Sequence, residues 1–501
     1  MTEESARGDT RPGDVIRTDG GSDGEGVVRR DRFSGGPARS FLSSLEADER
    51  IFEADLEIDR AHVVMLAEQG IVGDEVAGQI LTALDAIEVD GHDSLPDGED
   101  VHEAIETAVV ERVGPDGGRM HTARSRNDEV AACIRYRLRE DVLSAIETTI
   151  ALRESLIEVA ESGRETIMPG YTHLQPAQPT TVAHWACSYE GTVRRDTARL
   201  CEAYDRINQS PLGGAAFAGT TFEIDRERTA DLLGFEGVVE NSMDAASSRD
   251  FLLETVQALS THATTLSGLA EDVIVFANRG FVDLADDYSS TSSIMPQKKN
   301  PDTLELVRAV AGDAAGGVQG LTTTLKGLPR AYNRDLQRAT THAWETVSAV
   351  TEASEVAAGA VATADWNEDA LASEAGAGFS TATGVADLLA ANGLPFRTAH
   401  ELVAHAAEHG GDVDAIESAA AEVLGEPLAE FVDPAAVEAA LDPAESVASR
   451  DSQGGPAPDA VADQIDSARD ALAVDEQSHA DTSGALEAAR EALREEVNGY
   501  V

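Results

Sequence analysis

The chain of 501 residues carries 92 acidic against 38 basic residues, a formal net charge of -54, while 42% of it is hydrophobic. That length supports several domains around a sizeable core, and that apolar fraction excludes a disordered acidic polymer. The charge argues against nucleic acid or anionic membranes as partners, because both are gripped by clustered Lys and Arg.

Residues 1–27 are polar and Gly-rich without periodicity and read as a loose N-terminal tail. From Phe41 to about Asp90 apolar residues recur at helical spacing: Ile51, Leu56, Ile58, Val63 and Leu66, then Ile71, Val76, Ile80 and Leu84. A turn-rich stretch, 91–98, precedes the next helix. Three long helical patterns follow: through Val142 to Val159, from near Pro179 through Trp185 to Ile207, and through Leu252 to Phe276. A further helix should start at Pro301, where Asp302 and Glu305 suit the positive end of its dipole, and run towards Leu325. Gly316-Gly317 weakens the second half of that expectation. From about 371 the sequence mixes short helices, turns and Ala-rich acidic stretches. Strand-like alternation is scarce. The fold class is therefore all-α: a tail (1–27), an N-terminal helical domain (28–120), a central long-helix bundle (121–370) and a C-terminal helical domain (371–501).

Only three lysines occur, Lys298, Lys299 and Lys326; the other 35 basic residues are arginines. Scarce lysine with abundant Asp and Glu suits a salt-accumulating halophile, where molar salt cuts the Debye length to about 3 Å and screens self-repulsion. In such a chain the few lysines mark positions that need a compact ammonium. Cys133, Cys187 and Cys201 show no metal-like spacing and read as small apolar residues of a reducing compartment. No signal core and no membrane-length apolar run is present, so the chain reads as soluble and cytoplasmic.

Two of the three lysines fall in Ser292-Ser293-Ile294-Met295-Pro296-Gln297-Lys298-Lys299-Asn300-Pro301. Behind a polar, aperiodic stretch from Asp286, this segment brings a hydroxyl, an ammonium and an amide to a helix N-terminus. Such a place favours an anion, and Lys298 and Asn300 can hold a carboxylate there. In Arg124-Ser125-Arg126-Asn127-Asp128, two arginines flank a serine and offer forked donors for a carboxylate. Thr172-His173-Leu174-Gln175 places an imidazole among hydrogen-bonding side chains. Lys326-Gly327-Leu328-Pro329-Arg330-Ala331-Tyr332-Asn333, ending at Gln337, holds the third lysine. Read singly, each also suits a structural role: a capped helix start, an exposed polar loop, a loop histidine, a Gly/Pro turn.

The 292–301 segment resembles the signature of the fumarase/aspartase superfamily, whose members eliminate fumarate from a succinyl-bearing substrate. Its Gln-Lys-Lys-Asn-Pro-Asp ending is similar to that of argininosuccinate lyases; fumarases and aspartases usually carry Lys-Val-Asn there, and adenylosuccinate lyases His-Lys-Arg-Asn. The other three motifs match the same family, although Glu129 stands where glutamine is commoner. Supporting matches are Arg32-Phe33-Ser34-Gly35 (without the family's preceding Trp-Gly-Gly), Glu99-Asp100-Val101-His102 and Arg249-Asp250, within a resemblance covering roughly 29–470. The resemblance implies that Ser292 is the catalytic base, aided by Lys298, with His173 in a charge relay with Glu305. It implies substrate contacts from Ser34, Ser125, Arg126, Asn127, Thr172, Gln175, Asn300, Tyr332 and Gln337. Many relatives add a carboxylate-binding lysine a few residues further on; here Arg338 is the nearest cation. No metal or cofactor is implied. The resemblance further implies a homotetramer whose active sites draw on three subunits, releasing arginine and fumarate. The alternatives are another fumarate-releasing lyase, acting on adenylosuccinate, aspartate or malate, and a catalytically silent structural relative.

Overall fold

Helices form where the apolar spacing is three or four. In the computed structural model, which describes residues 37–501, α1 (Phe52–Glu68), α2 (Asp74–Asp90) and α3 (Val101–Val113) close around Leu56, Val63, Leu66, Ile80, Leu84 and Ile105. The expected tail and the 32–35 match, with Ser34, lie outside the described residues. The central bundle comprises α4 (Arg126–Ser162), α5 (Val182–Ile207), α6 (Asp250–Arg279), α7 (Asp302–Leu325) and α8 (Ala339–Ala362). These helices pack on one another through Leu152, Leu156, Leu200, Leu259, Leu266, Leu321 and Val350. With 37 residues at 1.5 Å each, α4 is about 55 Å long, so the bundle has two well-separated ends.

The helix after Pro301 passes straight through Gly316-Gly317. A Cβ at Gly317 would strike the Thr346 hydroxyl of α8, so that glycine permits close helix approach. Pro301 itself sits just before the first turn of α7 rather than in it. Between α4 and α5 the chain forms a hairpin, β1 (Ile167–Thr172) with β2 (Gln175–Thr181), where a loop and a helix start near Pro179 were expected. Pro169, Pro176 and Pro179 are tolerated because this two-stranded ribbon has only edges. After β3 (Val282–Asp283), the aperiodic polar stretch likewise contains a hairpin, β4 (Ser290–Thr291) with β5 (Lys299–Asn300); β6 (Asp365–Trp366) pairs with β3.

Both hairpins sit at one end of the bundle. The Arg279 guanidinium closing α6 lies 5.0 Å from the Tyr171 ring of β1. Thr303, in the first turn of α7, donates its hydroxyl to the Tyr288 carbonyl at 2.5 Å. Edge-to-face packing of Trp185, Tyr189, Phe276 and Trp366 fastens the helices beneath, with Trp185 Nε1 and the Tyr189 hydroxyl both donating to Asp272.

The stretch 371–501 divides between two bodies. Residues 385–437 carry their own small core. The last helix, α9 (Pro458–Asn498), runs back along α4 and α5 and ends with Leu493 and Val497 inside the N-terminal core. Among the described residues no helix is long and apolar enough to cross a membrane. Cys133 is buried and Cys187 and Cys201 are half-buried; all three are free thiols.

Candidate active site

At the end of the bundle where α4 begins, Arg126, Asn127, Tyr332 and Gln337 line one cavity of about 270 Å³. Asp100 caps α3 through the Glu103 N–H, and Arg126 reaches Asp100 at 3.3 Å and Glu103 at 3.7 Å. Asn127 donates to the Ala216 carbonyl, and Gln337 donates to the Ser44 hydroxyl. Tyr332 follows Ala331, whose φ of 69° is a left-handed conformation that a residue with a Cβ adopts only when its surroundings impose it. Ser125 does not line this cavity. Its hydroxyl accepts the Asn127 N–H while Asp128 accepts the Ser125 N–H, a capping box that starts α4.

Sequence reasoning gave no roles to the rest of the wall: Asp48, His102, Arg249 and Arg334 among others. His102 donates through Nδ1 to Asp55 at 2.8 Å, and its Nε2 is buried without a partner. Behind it, Arg124 holds Asp59 and Glu129, and the Cys133 thiol donates to Asp55 at 3.2 Å. Burial alone would lower His102, yet Asp55 and Glu129 push it up to about 10. Burial lifts Glu129 well above the usual carboxylate range and Asp59 up to about 7, against the pull of Arg124. Asp55, Asp59 and Glu129 thus share this buried pocket with two cations, Arg124 and His102. Asp55, His102 and Cys133 have metal-compatible spacing, but the Asp55–His102 bond and the nearby Arg124 charge account for the cluster without an ion. The usable signal in the sequence was the pair of short matches Glu99-Asp100-Val101-His102 and Arg249-Asp250; Asp48 carried none.

The other expected residues lie at the opposite end. Thr172, His173 and Gln175 sit exposed at the tip of the β1–β2 hairpin. His173 and Leu174 form its two-residue turn with φ of 56° and 57°, a left-handed pair that usually takes Asn and Gly. In the second hairpin the Ser292 hydroxyl accepts the backbone N–H groups of Ile294 (3.3 Å) and Met295 (3.1 Å). Lys298 donates to the Asn300 side chain, and Lys299 pairs with Asp283 and Asp286. Glu305 is exposed in the first turn of α7. Within the described residues of one chain no hydrogen bond or ion pair joins His173 to Glu305. About 30 Å of helix, from Glu305 to Leu325, separates the hairpin group from the cavity.

A family model described as Lyase matches residues 39–316, and one described as Argininosuccinate lyase C-terminal matches 379–448. The chain is 67% identical over 483 residues to the argininosuccinate lyase of Haloarcula marismortui, with 95% of this chain and 97% of that protein covered. It is 68% identical to that of Halobacterium salinarum (95% and 99% covered) and 44% identical to that of Methanosarcina acetivorans (95% and 99%). Among solved structures, EDDS lyase in complex with formate superposes with a TM-score of 0.81 at 32% identity, covering 93% of this chain and 96% of that one. A class II fumarase from Schistosoma mansoni, at 16% identity and a TM-score of 0.67 over 77% and 90%, shares the fold. The chain belongs to the argininosuccinate lyase family.

Proposed function

We propose that the chain cleaves argininosuccinate to arginine and fumarate by β-elimination of a C–N bond, with Ser292 as the base. Removing a proton from the carbon beside a carboxylate is feasible only if the developing aci-carboxylate is held by cations and donors. Lys298 and Asn300 supply these beside Ser292, in the turn of polarity before the α7 N-terminus. The single observation that carries this reading is the pair of backbone N–H groups aimed at the Ser292 oxygen. They stabilise an alkoxide more than the neutral hydroxyl and so favour loss of its proton. His173, oriented by Glu305, protonates the departing guanidinium or positions the group that does. Arg126, Asn127, Thr172, Gln175, Tyr332 and Gln337 bind substrate.

One chain holds these groups too far apart to act on one molecule, which supports a homotetramer with sites shared between subunits. The exposed face of α7 supports it too. Between Ala309 and Leu325 only Asp313 is charged, in a chain where 26% of residues are. A Cβ at Gly312 or Gly316 would meet no atom within 4 Å, so nothing in the same chain requires glycine there. Close approach of a helix from another subunit does. The working enzyme is read as a protein of a high-salt cytoplasm, a reading that the acidic composition supports.

The test is fumarate release by the purified protein in about molar KCl, with argininosuccinate offered beside adenylosuccinate, aspartate and malate. Selective turnover of argininosuccinate, abolished by Ser292→Ala, is expected. Turnover of a rival instead, or full activity in that variant, overturns the reading.

A further inference from the structure

We propose that His405, His409 and Glu422 form a site for a divalent cation of the zinc class, which clips together two helices of the small body at 385–437. The site belongs to that body's own fold and is independent of the reaction proposed above.

Residues 385–437 have little to hold them. Their core counts fifteen buried apolar residues, of which six are alanines. A core that small leaves a helical body marginal, the situation in which small domains add a metal or a disulfide. Cys133, Cys187 and Cys201 all lie outside it, so a disulfide is not available. The span also carries ten acidic residues against a single arginine, and its field attracts cations.

Three donors gather where the helices Phe396–Ala407 and Val413–Val423 pack together. His405 Nε2 lies 3.1 Å from Glu422 Oε2. That is the separation of two adjacent ligands each about 2.1 Å from one cation. His409 comes one turn after His405, and the two rings stack with centroids 5.3 Å apart. Its Nδ1 donates to the His405 carbonyl at 3.0 Å, which in the neutral ring leaves the lone pair on Nε2. A histidine that binds a metal uses its second nitrogen in this way, on a backbone carbonyl or a carboxylate. The turn beyond is fixed, because a Cβ at Gly411 would strike the Phe379 ring. The two rings stack here rather than converge, so the exposed His409 side chain has to turn to close the site. Two imidazoles and one carboxylate suit zinc, cobalt or nickel, whereas magnesium and calcium take oxygen ligands throughout. A plain His405–Glu422 ion pair, the rival account, has no use for His409.

The test titrates the full chain with Zn²⁺, Mg²⁺ and Ca²⁺ by calorimetry in about molar KCl, and maps hydrogen exchange with and without Zn²⁺. One Zn²⁺ per chain is expected, with no comparable binding of Mg²⁺ or Ca²⁺ and with slower exchange over 396–423. His405→Ala, His409→Ala and Glu422→Gln should each weaken Zn²⁺ by about 100-fold or more, since losing a residue behind a ligand already costs about 10- to 100-fold. All three side chains are exposed or half-buried, so these variants keep the fold. His173→Gln, which removes an exposed histidine elsewhere, should bind Zn²⁺ as wild type does. Absence of Zn²⁺ binding overturns the proposal and leaves the ion pair. So does equal binding of Mg²⁺ or Ca²⁺, an unchanged affinity in His409→Ala, protection confined to other segments, or a loss of affinity in His173→Gln as large as in the three.

Discussion

The two ends of the bundle solve different problems with the same kind of residue. At the α4 start, charged side chains are buried, paired and fixed: Arg124, Asp55, Asp59, Glu129 and His102 form a network behind a lined cavity. At the hairpin end, His173, Ser292 and Lys298 are exposed or half-exposed on short ribbons, Glu305 is exposed in the first turn of α7, and the hairpin groups touch little beyond their own loops. The first network can be finished within one chain because Arg124 and His102 find carboxylates there. Among the described residues the second end shows no such network, and the left-handed His173-Leu174 turn stands exposed at its tip. The difference teaches that stability is concentrated at one end, while the chemistry proposed above falls at the other.

Substitutions should separate the two. Ser292→Ala is expected to lower kcat by about 10³- to 10⁴-fold, in the range of a lost general base, while leaving the melting temperature unchanged, since the hydroxyl contacts only its own hairpin. A melting temperature that fell with activity would show that the hairpin end is structural too. Arg124→Met should do the reverse, costing about 3–5 kcal/mol of stability by leaving Asp59 and Glu129 buried without their cation. Urea titration in molar KCl measures it.

A gentler probe is pH. His102 is raised to about 10 in the folded chain, above about 6.5 when unfolded. Its stabilisation is therefore fully present below about pH 6.5 and is lost as pH rises towards 10. Asp55 is lowered, so its contribution is present above about pH 4 and fails only in acid. His102→Gln should melt lower than wild type at pH 6 and show a flatter decline between about pH 7 and 10; parallel decline in both would place the alkaline loss elsewhere. The smallest effect is expected from Leu174→Gly. Relieving a left-handed leucine that is 71% exposed should gain about 0.5–1 kcal/mol. A loss instead would mean that Leu174 packs against another subunit.

Much of this was legible in the sequence. The long helices follow from period-3.6 spacing of residues such as Leu152, Leu200 and Leu266, and the Ser292 and Arg126 motifs stood out by their chemistry. The hairpins did not, because Pro169, Pro176 and Pro179 argue against strands and the ribbons are too short to alternate. Arg249 and His102 were visible only as parts of longer matches, since nothing local shows that a guanidinium will be buried unpaired or an imidazole tied to Asp55, 47 positions away. Ser125 is a substrate contact only by resemblance, and within one chain its hydroxyl caps α4 outside the cavity wall.

The central claim is that the two ends meet only between chains. Mixing Ser292→Ala subunits with Arg126→Ala subunits, each inactive alone, tests it most directly once hybrids are verified by native mass spectrometry. The account predicts that fumarate release reappears, because some sites in the hybrids then combine an intact hairpin end with an intact cavity end. Verified hybrids that stay as inactive as the parents would contradict it.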